Sequence, residues 1–257
     1  MTHFLRHAFD PGLLQPLQQA FTQQIAPQLS PAMLAGGRQW QAHLPKVPFD
    51  VFSYNQAPLL WVSGANARGF GWFQAFFDAL QLQLVLPEAT RLYCGFFVVS
   101  NRAPEPLWHD DYVHFANAYT LLTPLNALAP SHGHLLYYPP TSNPFAGDET
   151  GQTQSQNQGQ EQSHTQSPAQ PQQYHYTPGE ALIIGHKLLH STAPYPPDKQ
   201  LRVLVSLTFG GEDMHYWPAL KPVLQGQSFY YHRPCGHTSH QLCLCAWQTQ
   251  KKPRSPS

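Results

Sequence analysis

Thr177–Pro194 reads TPGEALIIGHKLLHSTAP, and Leu201–Thr208 follows it as LRVLVSLT. The Pro178-Gly179 pair marks a turn, and Glu180–Ile184 runs out of it as an apolar strand. The second stretch alternates. Val203, Val205 and Leu207 take one face, while Arg202, Leu204, Ser206 and Thr208 take the other. A guanidinium flanked by hydroxyls on one strand face asks for an anionic partner, because an unpaired buried charge is prohibitively costly. A carboxylate, which a guanidinium grips with two parallel hydrogen bonds, is the natural guess.

Working outward, Leu92–Val99, Asn117–Leu125 and His134–Tyr138 are also short runs rich in β-branched and aromatic residues, separated by turn residues. Upstream the texture is helical. Asp10 can cap a helix with Pro11 at its first position, and Leu14, Leu17, Phe21 and Ile25 share one face. A loop rich in Pro and Gly extends to about Gly71, with an apolar stretch near Leu59–Val62. Phe73, Phe77 and Leu80 then mark a second amphipathic helix. Helices first and strands after imply a helix-supported β-sandwich or barrel, not an alternating α/β sheet.

Composition bounds the rest. The 257 residues carry 14 basic and 14 acidic side chains, so the strong positive field of non-specific nucleic-acid binding is absent. No run is long and apolar enough for a membrane span, and Met1–Pro11 has no secretory h-region, so a cytoplasmic location is expected. The four cysteines are then expected to be reduced thiols. Residues 149–173 are a Gln-rich stretch with almost no apolar surface to offset ordering, and read as a disordered loop insertion. Residues 249–257 read as a disordered tail.

The chemistry-bearing residues begin at Trp108-His109-Asp110-Asp111-Tyr112. His109 and Asp111 are two apart, so on an extended strand both side chains point to one face. An imidazole and a carboxylate so placed make two-thirds of a facial metal triad. Asp110 is the weaker choice, since it faces the other way. Some eighty residues later, beyond the Pro178-Gly179 turn and its strand, comes His190. His186 lies four residues before it, but no Glu stands between them as a zinc hydrolase would require.

His109-x-Asp111, Pro178-Gly179-Glu180-Ala181-Leu182, His190 and Arg202, in that order, resemble the iron(II)/2-oxoglutarate-dependent dioxygenases, nearest the phytanoyl-CoA hydroxylase-like and prolyl hydroxylase-like branches. Thr120–Asn126 followed by Gly133–Tyr137 is similar to that family's paired central strands. The resemblance spans roughly residues 90 to 210. It implies a double-stranded β-helix (jelly roll), mainly β, within one domain over 1–248. Residues 1–88 would be helical support, 89–212 the jelly-roll core and 213–248 a C-terminal extension.

The resemblance also implies roles. His109, Asp111 and His190 would hold Fe(II), and Arg202 would bind the distal carboxylate of 2-oxoglutarate. Ser206 would help, because Leu204 stands where many relatives have Ser, and Asn117 and Tyr119 are further cosubstrate candidates. Dioxygen would be the other cosubstrate. An acidic ligand at Asp111, where halogenating relatives leave room for chloride, implies oxygenation. The substrate would be a small molecule or a peptide, with no nucleic acid or membrane partner. A rival reading is a non-catalytic jelly-roll module with a structural or empty metal site. A second is an oxygenase of proteins that docks through 149–173.

Cys235-x-His237-x-x-His240-x-x-Cys243-x-Cys245 has enough soft ligands for zinc, but its spacings fit no familiar zinc motif. The expectation is a strand with packed thiols and exposed histidines, without stoichiometric zinc.

Overall fold

The computed structural model describes residues 4–35, 41–53, 57–82, 90–111, 118–139, 170–185 and 188–245. Two antiparallel sheets face each other across a cavity. The larger has eight strands in the order β1 (Phe4–Ala8), β9 (Glu180–Gly185), β6 (Ala118–Pro124), β11 (Arg202–Gly210), β5 (Arg91–Ser100), β4 (Leu59–Gly64), β3 (Phe49–Ser53) and β2 (Gln41–His43). The smaller has β10 (His190–Thr192), β7 (Leu135–Tyr137) and β8 (Gln172–Tyr174). From β6 onward successive strands alternate between the sheets, apart from the β7–β8 pair, and this winding is a double-stranded β-helix. A fourth strand of the small sheet is reduced to one bridge, His109 to His190.

All nine residues of β11 are buried. Its alternation is as expected: Val203, Val205 and Leu207 enter the main core, while Arg202, Leu204 and Ser206 line the cavity. The turn before β9 closes through the Glu180 N–H, which donates to the Thr177 carbonyl.

Helices cover the outer face of the large sheet. Asp10 accepts from the Gly12 N–H at 2.9 Å and opens a helical segment from Pro11, in which α1 spans Gln15–Ala20. Leu14, Leu17, Phe21 and Ile25 are buried against the sheet. Helix α2 (Ala67–Ala79) is capped by Asn66 and lays Phe73 onto β5, over Gly95, whose missing side chain makes room for the ring. Phe73 is fully buried, 5.0 Å from the Phe97 ring. Phe73→Ala should therefore cost about 3–5 kcal/mol of stability, read as a lower denaturation midpoint with unchanged slope in urea.

Two boundaries differ from expectation. Residues 1–88 are not helical support alone, because they also supply β1 to β4. Pro45, Pro48 and Pro58 punctuate the ends of β2, β3 and β4, so a stretch that reads as loop is a meander. The Gln-rich stretch reaches less far than expected: Gln172 and Gln173 pair with Tyr137 and Leu136, while residues 149–169 lie outside the described residues, as do 249–257. Within the expected C-terminal extension, α3 (Trp217–Gln227) follows β11 and packs Leu220 and Leu224 on Tyr93 and Phe96. Among the described residues no helix is long and apolar enough to cross a membrane.

Candidate metal centre

His109 and His190 face each other as a hydrogen-bonded antiparallel pair. The His109 N–H donates to the His190 carbonyl at 3.0 Å, and the His190 N–H returns to the His109 carbonyl at 2.9 Å. Directly opposed residues in such a pair project their side chains to the same side. That is why two histidines far apart in sequence converge here, with ring centroids 4.4 Å apart.

Each ring is then aimed by the same local device. Nδ1 of His109 lies 2.8 Å from the Leu107 carbonyl, and Nδ1 of His190 lies 2.8 Å from the Leu188 carbonyl. A carbonyl accepts only, so both rings carry their proton on Nδ1 and turn the Nε2 lone pair inward. Asp111, two residues past His109, brings Oδ1 to 3.7 Å from both Nε2 atoms. These contacts are too long for hydrogen bonds, and Asp111 Oδ2 is buried without a partner. Three donor atoms that converge without satisfying one another fit a divalent cation held on one face by two imidazoles and a carboxylate. Burial holds the His190 imidazole below its ordinary value, a shift that Asp111 opposes, which favours the neutral ring that a metal requires.

The cavity beside this cluster has a volume of about 690 Å³. Arg202, 1% exposed, contributes to its wall. No carboxylate among the described residues pairs with it, and its Nε and Nη1 have no hydrogen-bond partner. Its guanidinium lies 5.6 Å from the centre of the Tyr176 ring. The Tyr176 hydroxyl is likewise buried and unsatisfied. Burial pushes this phenol up to about 12 against the pull of Arg202, so it stays protonated and can donate. Ser206 lines the same wall.

Of the remaining sequence expectations, Tyr119 is corrected. It pairs with Phe209 and stacks on that ring at 5.6 Å, on the core side of the sheet, whereas its neighbours Thr120 and Leu122 reach the cavity. Asn117 lies outside the described residues, as does His186. Sequence reasoning missed Tyr176. Its alternation with Tyr174, just before the Thr177-Pro178 turn, was the available signal. It also missed the cavity's other wall, formed by Phe52 and Trp61 from the early strands and by Val223 and Gln227 from α3. Gln227 is fixed there by Thr208 and by Cys94, whose Oγ1 and Sγ donate to its Oε1 at 2.9 Å and 3.2 Å.

No protein-family model matches the chain, and no curated protein matches it. Solved structures do. The non-heme α-ketoglutarate-dependent epimerase SnoN from nogalamycin biosynthesis aligns at 13% identity over 81% of this chain and 78% of its own, with a TM-score of 0.49. HygX from Streptomyces hygroscopicus, solved with nickel and 2-oxoglutarate bound, aligns at 14% identity over 81% and 83%, with a TM-score of 0.47. A Pseudomonas putida prolyl-4-hydroxylase aligns at 12% identity over 81% and 92%, with a TM-score of 0.43. At these levels of likeness, function has to be argued from the chain's own residues.

Proposed function

We propose that this chain is an iron(II)- and 2-oxoglutarate-dependent oxygenase that hydroxylates an unactivated C–H bond of a small molecule or an amino-acid side chain. Arg202 carries the reading. A fully buried guanidinium with no acidic partner among the described residues, in the same cavity as two histidines and a carboxylate, calls for a carboxylate ligand that is itself brought to the metal. Iron bound with 2-oxoglutarate supplies activation of dioxygen, coupling decarboxylation of the oxo acid to succinate and CO2 with oxygen insertion into substrate.

The protein's own work is placement. His109, Asp111 and His190 would hold the metal from one side, leaving the other side to the cavity. Arg202 would anchor the distal carboxylate of the cosubstrate with parallel N–H donors, and the Tyr176 hydroxyl would donate to the same group. Leu122, Leu135 and Leu204 line the same cavity, and apolar surroundings strengthen each charged contact. Phe52, Trp61 and Phe96 offer an apolar wall for the substrate. The volume falls within the roughly 300–1,000 Å³ typical of small-molecule pockets.

Ferrous iron and 2-oxoglutarate added together under anaerobic conditions should produce a visible metal-to-ligand charge-transfer band, and admission of air should yield succinate. Absence of the band in iron-loaded protein sinks the proposal in favour of a non-catalytic module. Tyr176→Phe should weaken cosubstrate binding by about one to two orders of magnitude with iron content unchanged, since a hydrogen bond to a charged group is worth about 1.5–3 kcal/mol.

A further inference from the structure

Past α3 the chain makes a small hairpin that the active cavity does not use. The His232 N–H donates to the Tyr93 carbonyl, on β5 where the register with β11 shifts. His232 and Thr238 form a bridge, and the Ser239 N–H donates to the Tyr231 carbonyl. Arg233 ties the two arms together, with Nη1 donating to the Gln241 carbonyl and Nη2 to the Ser239 carbonyl. Between the arms Gly236 makes the tight turn, at a φ of 88° and against Arg91, and this turn brings Cys235 and His237 side by side.

The orientation of the returning arm is the opposite of what hydrophobicity favours. Leu242 and Leu244 are 87% and 61% exposed, while Cys243 and Cys245, which alternate with them, are turned inward. An arm packed for apolar burial alone would turn the leucines inward. What the arm gains instead is convergence of sulfur. Cys235 Sγ lies 3.5 Å from Cys243 Sγ and 3.3 Å from His237 Nδ1, and Cys245 Sγ lies 3.8 Å from His237 Nδ1. All four ligand atoms fall within 4.8 Å of one another. A tetrahedral zinc with Zn–S of about 2.3 Å and Zn–N of about 2.0 Å separates neighbouring sulfurs by about 3.8 Å, and sulfur from nitrogen by about 3.5 Å. The cluster already has that size.

We propose that Cys235, His237, Cys243 and Cys245 form a structural zinc site, separate from the candidate iron centre. This departs from the expectation from sequence that the segment merely packs its thiols. His240, the other histidine of the motif, stays out of the cluster and stacks on Tyr230 at 5.7 Å. Four protein ligands leave no open position, so the ion does no chemistry. It fastens a segment that has little core of its own, and so steadies Tyr231, which packs with Leu220 and Leu224 of α3 behind the cavity wall.

The test uses full-length His109→Ala/His190→Ala protein, in which the candidate iron centre is disabled, so metal counted there cannot be assigned to it. Purified under reducing conditions, it should carry one zinc per chain, released on titration of the thiols with a mercurial and read with a chromogenic chelator. Cobalt(II) exchanged into the same protein should show the intense d–d absorption of a tetrahedral thiolate site. Cys243→Ser/Cys245→Ser should abolish both signals. The cobalt spectrum of the His109→Ala/His190→Ala protein remains decisive if the cysteine variant fails to fold. Zinc-free protein with no thiolate–cobalt band, a band that survives loss of both cysteines, or a native Cys235–Cys243 disulfide would each overturn the site.

Discussion

Arg202→Ala protein should bind iron as wild type does while its affinity for 2-oxoglutarate falls by roughly two to four orders of magnitude. The figure comes from the cost of leaving one member of a buried charge pair alone, about 3–5 kcal/mol. Arg202 is buried at the first position of β11 and is no part of the cluster that would hold the metal, so its removal leaves His109, Asp111 and His190 in place. Two measurements on one sample separate the effects: iron by elemental analysis, and cosubstrate by titration of the anaerobic visible band. Unchanged cosubstrate affinity in the variant would remove the central support for the proposed function.

The triad variants fail differently. With His190→Ala or His109→Ala the remaining two donors compete poorly with water, so ferrous iron at micromolar concentration should not be retained and succinate formation should fall to background. Asp111→Ala leaves both imidazoles aimed by Leu107 and Leu188, so some metal should persist while hydroxylation is lost. Full turnover by either histidine variant, with normal thermal stability, would mean that the metal is held elsewhere.

The site was legible in the sequence where its geometry is local or periodic. The two-residue spacing of His109 and Asp111 places both on one side, and the alternation of β11 put Arg202, Leu204 and Ser206 on the inward face without knowledge of any neighbour. The Tyr119 error was one of parity. Ser206 pairs with Leu122 and Thr208 with Thr120, so only even positions of β6 share the face of Arg202. Register between strands is a long-range property, and no single strand records it.

The same reason hides β1. Five residues containing Arg6 and His7 gain their extended form from the edge of β9, with which all five pair. The meander β2–β4 was obscured because its prolines stand at strand ends, where turns and breaks look alike in sequence. The thiol cluster depended on where the Gly236 turn sends the returning arm, and side-chain spacing alone cannot specify that.

The reciprocal backbone bonds between His109 and His190 have one more implication. They are main-chain bonds between two paired residues, so folding of the strands itself sets the two imidazoles side by side. Stripping the iron should therefore leave an apoprotein that is reloaded within the mixing time, with no refolding phase and little change in far-ultraviolet dichroism. Under the proposed function, a cell could then set the working fraction of the protein through its pool of exchangeable ferrous iron, long after synthesis, without degrading or remaking a single chain.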